Sequence, residues 1–275
     1  MSEAVPPDAP KRAAPFDAVA ATYDTLRFVR LCAERLVELA DVRPGDRVLD
    51  VATGTGWVAL AAAEGVGPTG EVLGIDLSPA MLTRAQEKLA RAGLTNVTFE
   101  VGDATRLDLP DDSFDAVLCA SSLFFIPDIE AALREWRRAL RPGGQVGFSS
   151  FGAGFMQPLR DLWAARLAHH GVASGAPPVH RLAEPATCRA LLDGTGFIRT
   201  RVTTEQLGYH LEAAAGRWAD IEAGPEGMPL RQLPSAQYEE LKAEYLKELE
   251  ALMTPQGLWV DVGANFAFGR KEGPR

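Results

Sequence analysis

Val48-Leu-Asp-Val-Ala-Thr-Gly-Thr-Gly56 is the stretch that decides the fold. A short apolar run ends in Asp50. Gly54 and Gly56 follow at a spacing that lets the backbone turn sharply and approach a ligand with no Cβ in the way. The Ala-rich segment behind the loop reads as a helix to about Glu64. Strand, glycine loop and helix together form the first part of a βαβ unit. With Ala59 the loop also satisfies GxGxxA, a dinucleotide fingerprint that is weak taken alone.

The same rhythm repeats downstream. Glu71–Ile75 reads as a second strand, and Ser78-Pro79 opens the next helix with an N-cap and a proline at its first position. Asn96–Val101, Phe114–Cys119 and Gln145–Ser150 read as further strands. Ile129–Leu140 is an amphipathic helix stopped by Arg141-Pro142-Gly143-Gly144. Alternation at roughly 20–30 residues per unit argues for a parallel, doubly wound sheet.

Upstream, residues 1–15 read as a flexible Pro/Ala tail without the apolar core of a signal peptide, and Phe16–Ala40 as one helix. Beyond Ser150 the rhythm breaks. Helices are expected around Pro158–His170 and Glu184–Asp193, and strands at Phe197–Thr203 and Trp259–Arg270. Residues 205–258 read as helical. The expected architecture is α/β: a Rossmann-like, seven-stranded, mostly parallel sheet with helices on both faces. An N-terminal helix and helical cap insertions complete one domain, 16–275, with cap elements at about 151–183 and 205–258.

Composition narrows the partners. Apolar residues make up 47% and charged residues 24%, which suits an ordinary buried core. A net charge of −9 argues against a phosphate backbone as the main partner. Cys32, Cys119 and Cys188 are too widely separated for a zinc cluster or disulfide framework, so a reducing cytoplasm is expected and no metal. No run is long and apolar enough for a membrane span. A monomer or homodimer acting on a small molecule is the expectation.

Asp76 ends the second strand, 20 residues past Gly56, where a carboxylate can accept from both ribose hydroxyls. Gly102-Asp103-Ala104 ends the third, with an acid placed to accept from an adenine amino group. Asp50 sits where a dinucleotide enzyme must accommodate a pyrophosphate, and a fixed anion there is repulsive. Three acidic strand ends fit a cationic nucleoside, S-adenosylmethionine, better than an anionic dinucleotide.

At these residues the sequence resembles a known family. Asp50-x-x-x-Gly54-x-Gly56, Asp76, Gly102-Asp103-Ala104, Phe114-Asp115-Ala116-Val117 and Leu140-Arg-Pro-Gly-Gly144 match, in order and spacing, class I S-adenosylmethionine-dependent methyltransferases. The likeness is to the small-molecule branch that includes ubiquinone/menaquinone-biosynthesis and natural-product tailoring enzymes. It covers residues 16–150, and Tyr23-Asp24 is part of it. Ala52 departs from a position often held by glycine. The resemblance implies that Asp50, Ala52, Gly54 and Gly56 hold the methionine part of the cofactor, with Tyr23 nearby. Asp76 would take the ribose, Leu77 and Met81 would lie against the adenine, and Asp103 and Ala104 would bind its edge. Cys119 to Ser121 would line the loop facing the sulfonium.

The acceptor side is read from the resemblance and from residue chemistry together. Phe124 and Phe125 stand where many relatives carry a histidine, so no base is offered there. His180, in a Pro-rich loop, is the candidate base, although a plain loop histidine explains it as well. Phe124, Phe125, Phe151, Phe155, Met156 and Trp163 mark an apolar pocket mouth and an apolar or aromatic acceptor, methylated on oxygen, nitrogen or carbon. Two rival readings stay open. One is an NAD-dependent oxidoreductase, although no Tyr-x-x-x-Lys pair is visible. The other is a non-catalytic S-adenosylmethionine-binding protein.

Overall fold

The five parallel strands form because the runs of the first, second and fourth are each followed by a helix that packs back on the sheet, while the third passes to the fourth through a loop. The computed structural model describes residues 8–173 and 178–273. After α1 (Ala9–Asp17) and α2 (Arg27–Ala40) come β1 (Arg47–Val51), α3 (Trp57–Val66), β2 (Glu71–Asp76), α4 (Pro79–Ala92), β3 (Val97–Val101), β4 (Phe114–Cys119), α5 (Ile129–Ala139) and β5 (Leu140–Phe151). Then follow α6 (Leu159–His169), α7 (Pro185–Gly194), β6 (Ile198–Gln206), β7 (Tyr209–Leu211), α8 (Ala214–Ala223), α9 (Ser235–Glu250), β8 (Leu258–Val260) and β9 (Gly263–Arg270). The main sheet has seven strands in the order β3-β2-β1-β4-β5-β9-β6. The first five run parallel, and β9 is antiparallel to both β5 and β6. The Rossmann-like α/β expectation holds.

Helix ends follow local chemistry. The Ser78 hydroxyl accepts from the Met81 N–H at 3.1 Å to cap α4, and Gly93 closes it in the left-handed region. The Asp128 carboxylate caps α5 through the Ala131 N–H. Ile129, Ala132, Leu133, Trp136 and Ala139, at helical spacing, bury one face of α5.

Three sequence expectations need correction. Residues 9–15 of the supposed tail belong to α1, while residues 1–7 lie outside the described residues. The single helix expected over 16–40 is broken between α1 and α2 by a 3-10 turn at Tyr23–Thr25. There the Thr22 and Thr25 hydroxyls bond the Val19 and Thr22 carbonyls. Finally, residues 205–258 are not wholly helical. β7 and β8 pair as a separate two-stranded sheet, and β9 starts at Gly263 after Asp261 turns the chain by accepting from the Gly263 N–H and the Gln206 amide. Of the Gly/Pro-rich stretch at 171–181, residues 174–177 lie outside the described residues.

α6, α8 and α9 form a cap beyond the sheet. Trp163 meets Trp218 and Tyr245 ring to ring, Tyr245 donates to the Leu159 carbonyl, and Arg166 pairs with Glu244 and Glu248. Among the described residues no helix is long and apolar enough to cross a membrane.

Candidate active site

The glycine loop after β1 is built around Asp50. Its side chain is 1% exposed, and Oδ2 accepts from the Thr53 hydroxyl at 2.5 Å and the Ala59 N–H at 3.0 Å. Oδ1 has no partner. Burial pushes this carboxyl up to about 7 against those two hydrogen bonds, and the Asp76 charge adds to the rise. The two glycines differ in what they do. Gly54 adopts φ +55 with open space where a Cβ would stand, so its backbone is bare toward the cavity. Gly56, at φ +87, has Ala85 and the Phe99 ring 3.0 Å from that position, so it permits close helix–strand packing.

Asp76, at the end of β2, accepts from the Gly54 N–H at 2.8 Å and the Ser78 N–H at 2.9 Å. Loss of water raises its carboxyl above the ordinary range, opposed by those N–H groups. A cavity of about 110 Å³ opens here, lined by Ala52, Gly54, Asp76, Leu77, Met81, Gly102, Ala104 and Tyr23 from the sheet edge and N-terminal turn. Arg12, Ala13 and Phe16 of α1 cover it, and Ser122, Phe125 and Ile126 close the far side.

α1 acts as a strap. Arg12 donates to Asp103 at 2.7 Å, and Asp17 accepts from the Ser78 hydroxyl and the Ala80 N–H. Asp24 fixes the following turn by accepting from Thr55, Trp57 and Lys88. Tyr23 is thereby held over the cavity, with its phenol raised by desolvation and by the nearby Asp76 and Asp24 charges.

A second cavity of about 380 Å³ adjoins the first, sharing Phe16, Tyr23 and Phe125. Phe124, Phe125, Phe151, Phe155, Met156 and Trp163 all line it, and Phe151 and Phe155 stack with centroids 3.8 Å apart. Charge enters at one part of this apolar wall, through Arg160, Arg217, Asp220 and Glu226.

Six sequence-assigned positions fall elsewhere. Asp50 and Gly56 support the loop without lining either cavity. Asp103 is fully buried, its oxygens taken by Arg12 and by Thr105. Cys119 is also fully buried, and desolvation pushes its thiol well above the ordinary value. Ser121 faces the larger cavity rather than the smaller one. His180 is exposed and lines neither, so it is withdrawn as a base. Sequence reading missed Arg12, Phe16, Asp17, Asp24 and the four charged cap residues. Asp24 alone had a signal, its place beside Tyr23. An isolated charge on a cap helix looks like an ordinary solvated face.

With this geometry in hand, similarity to known proteins decides the class. A family profile described as a methyltransferase domain matches residues 48–144. Nocamycin O-methyltransferase from Saccharothrix syringae is 34% identical over 214 residues, covering 72% of this chain and 76% of that protein. The chain belongs to the S-adenosylmethionine-dependent methyltransferases. A ubiquinone/menaquinone biosynthesis C-methyltransferase from Ectopseudomonas mendocina is 42% identical over 145 residues; the match covers 50% of this methyltransferase and just 57% of that relative. The crystal structure of the YcgJ protein from Bacillus subtilis shares the fold, with a TM-score of 0.60 at 21% identity over 89% of this chain and 99% of that one. The oxidoreductase reading is set aside. The methyltransferase takes S-adenosylmethionine as its methyl donor.

Proposed function

We propose that the smaller cavity receives S-adenosylmethionine and the larger one a small, largely apolar acceptor, with methyl transfer where the two meet at Phe16, Tyr23 and Phe125. The adjoining of these two cavities is the observation that carries the reading. The residues present fit the donor. Bare backbone at Gly54, an acceptor carboxylate at Asp76, and Leu77 and Met81 as apolar walls suit a nucleoside. When bound, S-adenosylmethionine supplies an activated methyl group.

The protein contributes alignment and exclusion of water. The stacked Phe151–Phe155 pair and Trp163 hold a flat acceptor, and Tyr23, kept protonated, fills the seam. A cavity of about 110 Å³ is below the roughly 300–1,000 Å³ of small-molecule sites, so admission of the donor requires α1 to yield. Breaking the Arg12–Asp103 contact as α1 yields is what would free Asp103 for the adenine edge. One relative that matches along most of both chains is named an O-methyltransferase, which favours oxygen as the accepting atom. Three buried free cysteines suit a cytoplasmic enzyme, and the acidic balance disfavours nucleic acid. We read the enzyme as a monomer or homodimer.

The test is incubation with methyl-labelled S-adenosylmethionine and a panel of hydroxylated aromatic compounds. Label is expected in at least one product, and Phe155→Lys should abolish transfer while the donor still binds. Tight donor binding with no acceptor turned over would overturn the reading.

A further inference from the structure

Arg160 is a charge in the wrong kind of place. It sits in the first turn of α6, only 9% exposed, and lines the larger cavity among Phe155, Met156 and Trp163. Its guanidinium lies 5.7 Å from the Phe155 ring centroid and makes no hydrogen bond or ion pair with any described residue. Burial lowers its pKa, the Arg217 charge lowers it further, and Glu226 and Asp161 offset part of this from a distance. A desolvated guanidinium with five unused donors is unfavourable unless a ligand or water meets it.

Its neighbours do not relieve it. Arg217, 1% exposed, is committed to Glu226 at 2.5 Å, while its Nε has no partner. Asp220 interacts with Arg217 through space, and its Oδ2 is also buried without a partner. One part of an otherwise apolar cavity therefore holds a cation with free donors, next to a pair whose charges already cancel. None of these four residues lines the donor cavity. They act on the acceptor alone.

We infer that the acceptor carries an anionic group, a carboxylate or an ionised acidic hydroxyl, and that Arg160 binds it. This rests on the proposed use of the larger cavity as the acceptor site. A planar carboxylate matches the guanidinium fork with two parallel hydrogen bonds. Its aromatic body would then lie against Phe151, Phe155 and Trp163. The anion thereby fixes which atom of the acceptor faces the seam at Tyr23. Arg160 is a specificity residue in this arrangement.

The experiment compares two probes of equal shape, 2-naphthoate and 2-naphthamide, by calorimetry on the full chain saturated with S-adenosylhomocysteine. The wild type should bind the acid at least about tenfold more tightly than the amide. Arg160→Gln should erase that preference, weakening the acid about tenfold and leaving the amide within about threefold. Arg160→Lys, which keeps charge but loses the fork, should retain part of it. Unchanged S-adenosylhomocysteine affinity certifies that each variant is folded. Equal binding of both probes to the wild type overturns the inference, as does a preference that survives Arg160→Gln or an equal loss for both probes. In those cases the apolar acceptor cavity still stands. Failure of both probes to bind the wild type overturns the acceptor cavity as well, so the two failures are told apart.

Discussion

The two cavities that meet at Tyr23 are specified in different ways. The donor side is made mostly by backbone and short-range chemistry: a bare glycine at 54, the Asp76 carboxylate holding two N–H groups, and a turn pinned by Asp24. The acceptor side is made by large side chains from β5, α6, α8 and the segment before α9, brought together across many residues of sequence. A donor common to a whole family needs one geometry, which a few fixed backbone positions provide. An acceptor that differs between relatives needs a surface that can change without disturbing the sheet.

If that division is right, substitutions on the two sides should separate donor affinity from fold and acceptor effects. Asp76→Ala should have the largest consequence. The two charge-assisted bonds that the ribose hydroxyls would donate to this carboxylate, at roughly 1.5–3 kcal/mol each, are lost, so S-adenosylhomocysteine affinity should fall by about 1,000-fold. Calorimetry returning a near wild-type affinity would remove the donor site from this loop. Phe155→Ala, on the other side, should destabilise the fold by about 3 kcal/mol through the emptied stack with Phe151, as read by denaturant unfolding. Donor affinity should stay within about threefold while acceptor KM rises. A parallel loss of donor affinity would show that the two cavities are not independent.

This division also explains what was legible in the sequence. Asp50, Gly54, Asp76 and the strand alternation stand within one or two units of each other, so spacing alone places them. The aromatic cluster was legible because Phe124, Phe125, Phe151, Phe155 and Met156 flank the ends of two neighbouring strands, β4 and β5. Arg160, Arg217 and Asp220 were not, because their meeting depends on how α6 and α8 pack, which periodicity does not encode. Asp103 was placed at the right strand end, yet only the structure shows that Arg12, 91 residues away, already occupies it. The α1 strap was hidden for a related reason: a Pro/Ala-rich segment has little helical signal until the Asp17–Ser78 and Arg12–Asp103 bonds dock it.

Each side also carries buried carboxyls raised by loss of water: Asp50 and Asp76 on the donor side, Asp220 on the acceptor side. Asp50 is pushed from 3.8 to about 7, and Asp220 from 3.8 to about 6, both chiefly by burial. The folded chain thus holds more protons than the unfolded one across that range. Each stabilising contribution is complete below about pH 4 and is lost as pH rises through the folded value. Without ligand, the wild type should lose on the order of 2 kcal/mol between pH 5 and 8 on account of Asp50. In Asp50→Asn that part of the loss should vanish, leaving a fall to which buried Asp76 also contributes and whose Asp220 part, removed by Asp220→Asn, is nearly complete by about pH 6. Denaturant unfolding at pH 5, 6, 7 and 8 reads both, and a profile unaltered by Asp50→Asn would show that another group titrates.

The smallest expected effect asks whether backbone or side chain governs each side. Ala52 on the donor side and Ser121 on the acceptor side both adopt positive φ, +54 and +52. Glycine relieves a left-handed conformation by roughly 1–2 kcal/mol but brings about 0.5–1 kcal/mol of extra freedom to the unfolded chain. At Ala52 only a methyl group facing the donor cavity is lost, so Ala52→Gly should gain about 0.5 kcal/mol and raise Tm by about 1–2 °C. At Ser121 the hydroxyl meets the Ser149 hydroxyl at 3.3 Å, and losing that contact, worth about 1 kcal/mol, should turn Ser121→Gly into a small net loss. Opposite signs in thermal unfolding would mean that the donor side tolerates, and even prefers, a bare backbone where the acceptor side depends on its side chains. The same sign at both positions would erase the distinction between the two cavities at the level of single residues.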